Sequence, residues 1–188
     1  MENGQPQDFI TKTEALQIGK EIIMSKSVFI TGATTNTGLA IAEKFAENGY
    51  AVFIGSRDKE KSQNTAKYIS EKFGVFSKGY SYNASPENQD EVKEIFNDVR
   101  AEGYLLDTLV LNAANLGIGQ VSLDVDIKDV VGVYNVNVFW NFLMAREAGK
   151  QMKEKGGGAI VFIGSNSAIR VTENRLAYCS SKSAILGM

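Results

Sequence analysis

Ser27-Val28-Phe29-Ile30-Thr31-Gly32-Ala33-Thr34-Thr35-Asn36-Thr37-Gly38, running on into Leu39-Ala40-Ile41-Ala42-Glu43-Lys44-Phe45-Ala46, is the stretch on which the fold turns. Its first five residues read as a buried strand, and Leu39 to Ala46 as a helix stopped near Asn48-Gly49. The turn between them is rich in Gly and Thr. A strand that feeds a helix through such a turn directs the helix's first N–H groups at whatever lies beyond the strand tip. Gly32 permits the sharp turn, and Gly38 lets the helix pack closely on the strand. A phosphate suits that position, and a dinucleotide is the natural occupant of Gly32, Thr34, Thr35, Asn36, Thr37 and Gly38; the plainer alternative is a turn that uses Gly and Thr for geometry alone.

The alternation continues outward. Ala51 to Ile54, Val75 to Tyr82, Leu105 to Leu111 and Ala159 to Ile163 read as strands. Residues 58 to 73, Pro86 to Glu102 and 127 to 152 read as helices, and a last helix begins near Asn174. Apolar strands separated by helix-length segments call for a parallel sheet covered on both faces, and right-handed crossovers make it a doubly wound α/β domain. Residues 1 to 26 form a separate N-terminal extension. Ala15, Leu16, Ile18, Ile22 and Ile23 give it the apolar face of a short helix. In a doubly wound sheet ligands bind beyond the carboxyl ends of the strands, so the informative residues should follow strands.

Composition narrows the chemistry. The chain's 188 residues contain no histidine and one cysteine, Cys179. Ser-His-Asp and Cys-His catalysis are excluded, as are His-dependent zinc sites and an internal disulfide. A reducing, cytoplasmic setting fits. Twenty Lys and Arg against 22 Asp and Glu leave no basic surface for nucleic acid, and no run is long enough to span a bilayer. If the chain is an enzyme, its proton chemistry must come from Tyr, Lys, Ser, Asp or Glu.

Tyr178-Cys179-Ser180-Ser181-Lys182 places a phenol and an ammonium one helical turn apart on the same face. An ammonium beside a phenol favours phenolate, which suits the pair to general acid/base work. The alternative is a solvated helix face, with Cys179 a small filler. Ser165 follows the fifth strand, where a hydroxyl can hold a substrate oxygen beside the phenol. Ser167, Ser180 and Ser181 are alternatives, and a turn or cap is the plainer role for a Ser there. Asn137 lies inside the long apolar helix. There it is either satisfied by a neighbouring backbone group or holds a water towards Lys182. At the end of the second strand, Ser56 stands where a carboxylate would repel a 2′-phosphate. Arg57 suits a phosphate by charge and fork geometry, unless it is paired with Asp58.

Thr31-Gly32-x-x-x-Asn36-x-Gly38 resembles the glycine loop of the short-chain dehydrogenase/reductase family, with Asn36 replacing its middle glycine. Over residues 27 to 188 the order of motifs is similar to that family's. The resemblance implies an NAD(P)-binding Rossmann-like domain. Asn83 and Ala84 would face the adenine, and Asn112 and Ala113, in Leu111-Asn112-Ala113-Ala114, would border the cofactor. Asn137, Ser165, Tyr178 and Lys182 correspond to its catalytic set, with Tyr178 and Lys182 also contacting the cofactor. It further implies hydride transfer between nicotinamide and a small carbonyl or alcohol substrate, and a homo-oligomer. The Ser56-Arg57 pair resembles the arrangement of NADP-dependent members, although Thr35 occupies the glycine-loop position where many of them carry a second basic residue. Substrates of the 3-oxoacyl-carrier-protein reductase, ketose or polyol kinds all stay open. Set against the family, the chain stops within its last helix, so the C-terminal strands are expected to be missing. The rival expectations are a non-catalytic dinucleotide-binding or interaction module and an inactive truncated fragment.

Overall fold

Five parallel strands, in the order β3-β2-β1-β4-β5, form the sheet of the computed structural model, which describes residues 26–118 and 122–188. They are β1 (Ser27–Thr31), β2 (Ala51–Ser56), β3 (Ser77–Ser81), β4 (Thr108–Leu111) and β5 (Ala159–Phe162). The helices are α1 (Asn36–Glu47), α2 (Lys59–Phe73), α3 (Gln89–Ala101), α4 (Ile127–Tyr134), α5 (Asn141–Lys155) and α6 (Leu176–Ile185). The helix expected within residues 1 to 26 lies outside the described residues.

The two faces of the sheet explain why the strands read as apolar runs. Successive side chains point to opposite faces, and both are covered. Val28, Ile30, Val52, Ile54 and Val110 pack with Ala42 and Ala46 of α1 and with Ala66 and Ile69 of α2. Phe29, Phe53, Leu109 and Leu111 pack with α3 and with Leu143, Met144, Ala148 and Met152 of α5. Every residue of β1 and β2 is buried. At roughly 1.5–3 kcal/mol for each large apolar side chain removed from water, this double burial is the main force holding the strands. The order reverses between β2-β1 and β1-β4, and there a crevice opens at the strand tips.

Three elements differ from expectation. β4 is shorter than 105–111 and runs over Thr108–Leu111; Asp107 stands at its entrance, its N–H donating to Ser27 O at 3.2 Å, its carbonyl accepting from Ala159 N at 2.9 Å and its Oδ2 accepting from Ser27 N at 2.8 Å. Pro86 opens a single tight turn, Pro86–Asn88, and α3 follows it as a separate element. The long helix expected from 127 is interrupted by a π-helical segment, Asn135–Trp140, joining α4 to α5. At the other edge, β5 leaves Ala159 and Val161 exposed.

Candidate active site

Thr31 ends β1 with its side chain turned to the next strand. Its Oγ1 accepts from the backbone N–H groups of Asn112 and Ala113, both at 3.0 Å. Asn112 returns the contact, its Nδ2 donating to the carbonyls of Thr31 and Gly32 at 3.1 and 3.0 Å. The loops after β1 and β4 are thereby locked together. Gly32 has φ of +66°, and a Cβ there would come within 2.9 Å of Ala113 Cα. A Cβ on Gly38 would strike the Gly32 carbonyl and lie 2.7 Å from Asn112 Nδ2. Asn36 takes the left-handed conformation, φ 47°, at a position where the sequence lacks glycine. Asn tolerates this better than other side chains.

Thr35, the residue before α1, makes no capping bond through its side chain. The first-turn N–H groups therefore face a cleft of about 730 Å³ with no side-chain cap over them. Gly32, Thr34, Thr35, Asn36, Thr37 and Gly38 line one side of the cleft. Ser56, Arg57, Asp58 and Lys61 line another, and Asn112 to Ile118 form its far wall. Open N–H donors at a positive helix end, beside glycines whose Cβ would close the cradle, fit a diphosphate.

At the end of β2, Asp58 does not pair with Arg57. Its carboxylate caps α2 by accepting from Lys61 N at 3.0 Å, and it meets Lys61 Nζ at 3.3 Å. Arg57 forms no ion pair among the described residues. Lys61 was not singled out in the sequence, although a helical turn from Arg57 carries it to the same wall. Ser56 Oγ, by contrast, is turned to the backbone of Asp58.

After β3 the structure departs from the expected roles. Asn83 is exposed and does not line the cleft; Tyr82 and Ala84 do. The Asn83 N–H donates to Glu91 Oε2 at 3.2 Å, and its carbonyl accepts from Asn88. Tyr82 stacks on Trp140, with ring centroids 4.8 Å apart. Burial pushes its phenol far above the usual range, so it is a neutral wall of the cleft.

The acid/base candidates sit one layer further along the strand tips. Tyr178 is half-buried on α6. Lys182 Nζ lies 5.9 Å from its ring centroid, and the Arg175 guanidinium lies 5.5 Å from the same centroid. Lys182 is 2% exposed and donates to the carbonyl of Ile163, just beyond β5, at 2.7 Å. Burial lowers its amine's pKa below the ordinary value. Two of its three donors stay free of protein partners among the described residues. The same holds for the Tyr178 hydroxyl. Ser165 Oγ accepts from Ser167 N at 3.1 Å and so caps the tight turn Asn166–Ala168. None of these three side chains lines the cleft described above.

Asn137 is fully buried and fully used. Its Oδ1 accepts from Asn115 N at 2.7 Å, and its Nδ2 donates to Asn115 O and Ser181 Oγ, each at 2.9 Å. No hydrogen bond joins this side chain to Lys182; it holds the backbone of Asn115 and the hydroxyl of Ser181. Its own carbonyl accepts from Asn141 Nδ2 at 2.8 Å. Asn115 and Ser181 complete a polar link that spacing alone did not reveal. Asn115 belongs to the cleft wall, and Ser181 precedes Lys182 on α6. Among the described residues, no cluster of His, Cys, Asp and Glu could hold a metal, and no helix is long and apolar enough to cross a membrane.

Comparison with known proteins gives concordant matches. A family model described as short chain dehydrogenase matches residues 26–188. A 3beta-hydroxysteroid dehydrogenase of Mediterraneibacter gnavus is 30% identical over 87% of this chain and 58% of its own length. Among solved structures, an NAD+-bound xylitol dehydrogenase superposes with a TM-score of 0.78 at 29% identity, covering 86% of this chain and 61% of that one. The L-sorbose reductase of Gluconobacter frateurii, complexed with NADPH and L-sorbose, gives 0.80 at 28% identity, covering 88% and 62%. The chain thus spans about 60% of the length of these relatives.

Proposed function

The chain belongs to the short chain dehydrogenase family, and from that premise we propose that it is an NAD(P)-linked oxidoreductase interconverting a carbonyl and an alcohol on a small molecule. The observation that carries this reading is the placement of Tyr178. Its ring lies beside the Lys182 amine on a helix tied, through Ser181, Asn137 and Asn115, to the wall of a dinucleotide-sized cleft.

When bound, the dinucleotide supplies or takes a hydride. The open N–H groups of α1 hold its diphosphate, with Asn112 and Ala113 bordering it. Tyr178 gives a proton to the carbonyl oxygen in reduction or takes it from the alcohol in oxidation. Lys182 stands beside the Tyr178 ring and turns its free donors to a ribose hydroxyl. Ser165, whose oxygen already accepts from Ser167 N, directs its own O–H at the substrate oxygen. Asn137 keeps the catalytic helix in register with the cleft wall.

NADP is the preferred cofactor in this reading. Arg57 has no carboxylate partner among the described residues, Ser56 leaves room where a carboxylate would repel a 2′-phosphate, and Lys61 adds a second cation on that wall. Both NAD+ and NADPH occur in the superposing structures. The setting proposed is cytoplasmic and the assembly a homo-oligomer. The test is titration with NADPH, followed through Trp140, the only tryptophan, whose stack with Tyr82 reaches the cleft wall, together with NADPH oxidation against a carbonyl panel. Quenching with turnover supports the proposal. Quenching without turnover supports a binding module instead.

A further inference from the structure

Arg175 is the residue the proposed mechanism leaves without a task. It immediately precedes α6, and its guanidinium lies 5.5 Å from the Tyr178 ring centroid. Its Nη1 donates to the carbonyl of Leu116 at 2.8 Å, and Leu116 lines the dinucleotide cleft. The side chain is therefore held where the cleft wall meets the acid/base residue. It has no carboxylate partner among the described residues. The protein as a whole is mildly acidic, with a net charge of −2 and 22 carboxylate side chains available. The other cation beside Tyr178, Lys182, is buried and turned to Ile163. Arg175 is half-buried, and one of its five N–H donors is engaged.

We propose that Arg175 recognises an anionic group on the substrate, and that the substrate class is a small oxo or hydroxy compound bearing a carboxylate or phosphate a few bonds from the reacting carbon. This rests on the oxidoreductase reading above and adds the identity of the substrate to it. A guanidinium presents parallel N–H donors to two oxygens of such a group, and anchoring on Leu116 O fixes the fork in advance. With its guanidinium 5.5 Å from the Tyr178 ring centroid, Arg175 would hold the anion, and so the substrate, beside the acid/base residue. Reduction then adds a hydride, carrying two electrons, to the carbonyl carbon and the Tyr178 proton to its oxygen. The C=O becomes CH–OH, the dinucleotide is oxidised, and the anion on Arg175 is unchanged.

The experiment measures binding of two matched probe pairs by calorimetry, on the 188-residue chain, with and without saturating NADPH. One pair is 2-oxopentanoate and 2-pentanone; the other is dihydroxyacetone phosphate and dihydroxyacetone. The first reads a carboxylate and the second a phosphate. The expected result is that one anionic probe binds at least about 10-fold more tightly than its neutral partner. Arg175→Ala should remove that preference, and Arg175→Lys should restore part of it. Quenching of Trp140 by NADPH should stay unchanged in both variants, because Arg175 does not itself line the dinucleotide cleft. Equal binding within both pairs, or a preference that survives Arg175→Ala, overturns the assignment. An Arg175-dependent preference without any NADPH quenching overturns the oxidoreductase reading and leaves Arg175 an anion site.

Discussion

Asn137 Nδ2 donates to Ser181 Oγ at 2.9 Å, a bond that crosses from the π-helical segment to α6. The same amide holds both backbone groups of Asn115 in the cleft wall. One buried side chain thus joins the element carrying Tyr178 and Lys182 to the wall of the cleft. Asn137→Ala would leave the Asn115 N–H and carbonyl without these partners in a partly buried setting. The expected loss is about 2 kcal/mol of stability, read from urea unfolding. Ser181→Ala should cost less, because Asn137 keeps its two bonds to Asn115. Equal losses would show that the Ser181 contact, not the grip on Asn115, dominates.

Tyr178→Phe removes one oxygen and keeps the ring between Arg175 and Lys182. NADPH quenching of Trp140 should therefore be unchanged, while carbonyl reduction falls by roughly 10²-fold or more. Turnover at the wild-type rate would remove Tyr178 from the acid/base role.

Arg57→Ala should weaken NADPH binding about 10-fold while leaving NADH within about 2-fold, since only the former carries the extra phosphate. Lys61→Ala should act in the same direction and more weakly, because Asp58 already shares its charge. A larger effect from Lys61 than from Arg57 would reverse the assignment of the principal phosphate partner.

What the sequence discloses and what it hides follow from the range of the interactions. The strands and the Gly32–Gly38 turn are legible because alternation, β-branching and glycine placement act over a few residues. The interruption at Asn135–Trp140 has no such local sign: its apolar residues suit an α- or a π-helical register alike. The bonds from Asn137 to Asn115 and Ser181 span 22 and 44 residues, so no spacing rule finds them. The family resemblance puts Asn83 on the adenine side. The chain turns there onto Glu91 and Asn88, and the cleft wall falls to Tyr82 and Ala84. Lys61 is not legible as a cleft residue in the sequence, because a lysine on a charged helix has an ordinary reading as part of a solvated face.

Gly38→Ala tests the cradle directly. The added Cβ would meet the Gly32 carbonyl, which cannot move without breaking the Asn112 bonds that lock the two loops. NADPH quenching of Trp140 should fall more than 10-fold, at a cost of about 1–3 kcal/mol in stability. Full binding by the variant would mean that α1 shifts freely on β1.

The Lys182 amine carries a pH signature in stability. Burial lowers its pKa below the unfolded value of 10.5, so the cost of holding a buried charge is fully present at neutral pH. As pH rises through the lowered value the folded protein releases this proton before the unfolded chain does. Between the two values the unfolded state binds more protons, and stability rises with pH. Lys182→Met keeps the length of the side chain and has no proton to lose. The wild type should therefore gain stability relative to Lys182→Met between pH 7 and pH 10. Titrating groups remote from Lys182 are common to both proteins and cancel in the difference. Urea midpoints at the two pH values measure it. A gap that stays constant would mean that the amine remains as well solvated in the fold as in the open chain, and a gap moving against the wild type would mean that its charge is stabilised at Ile163.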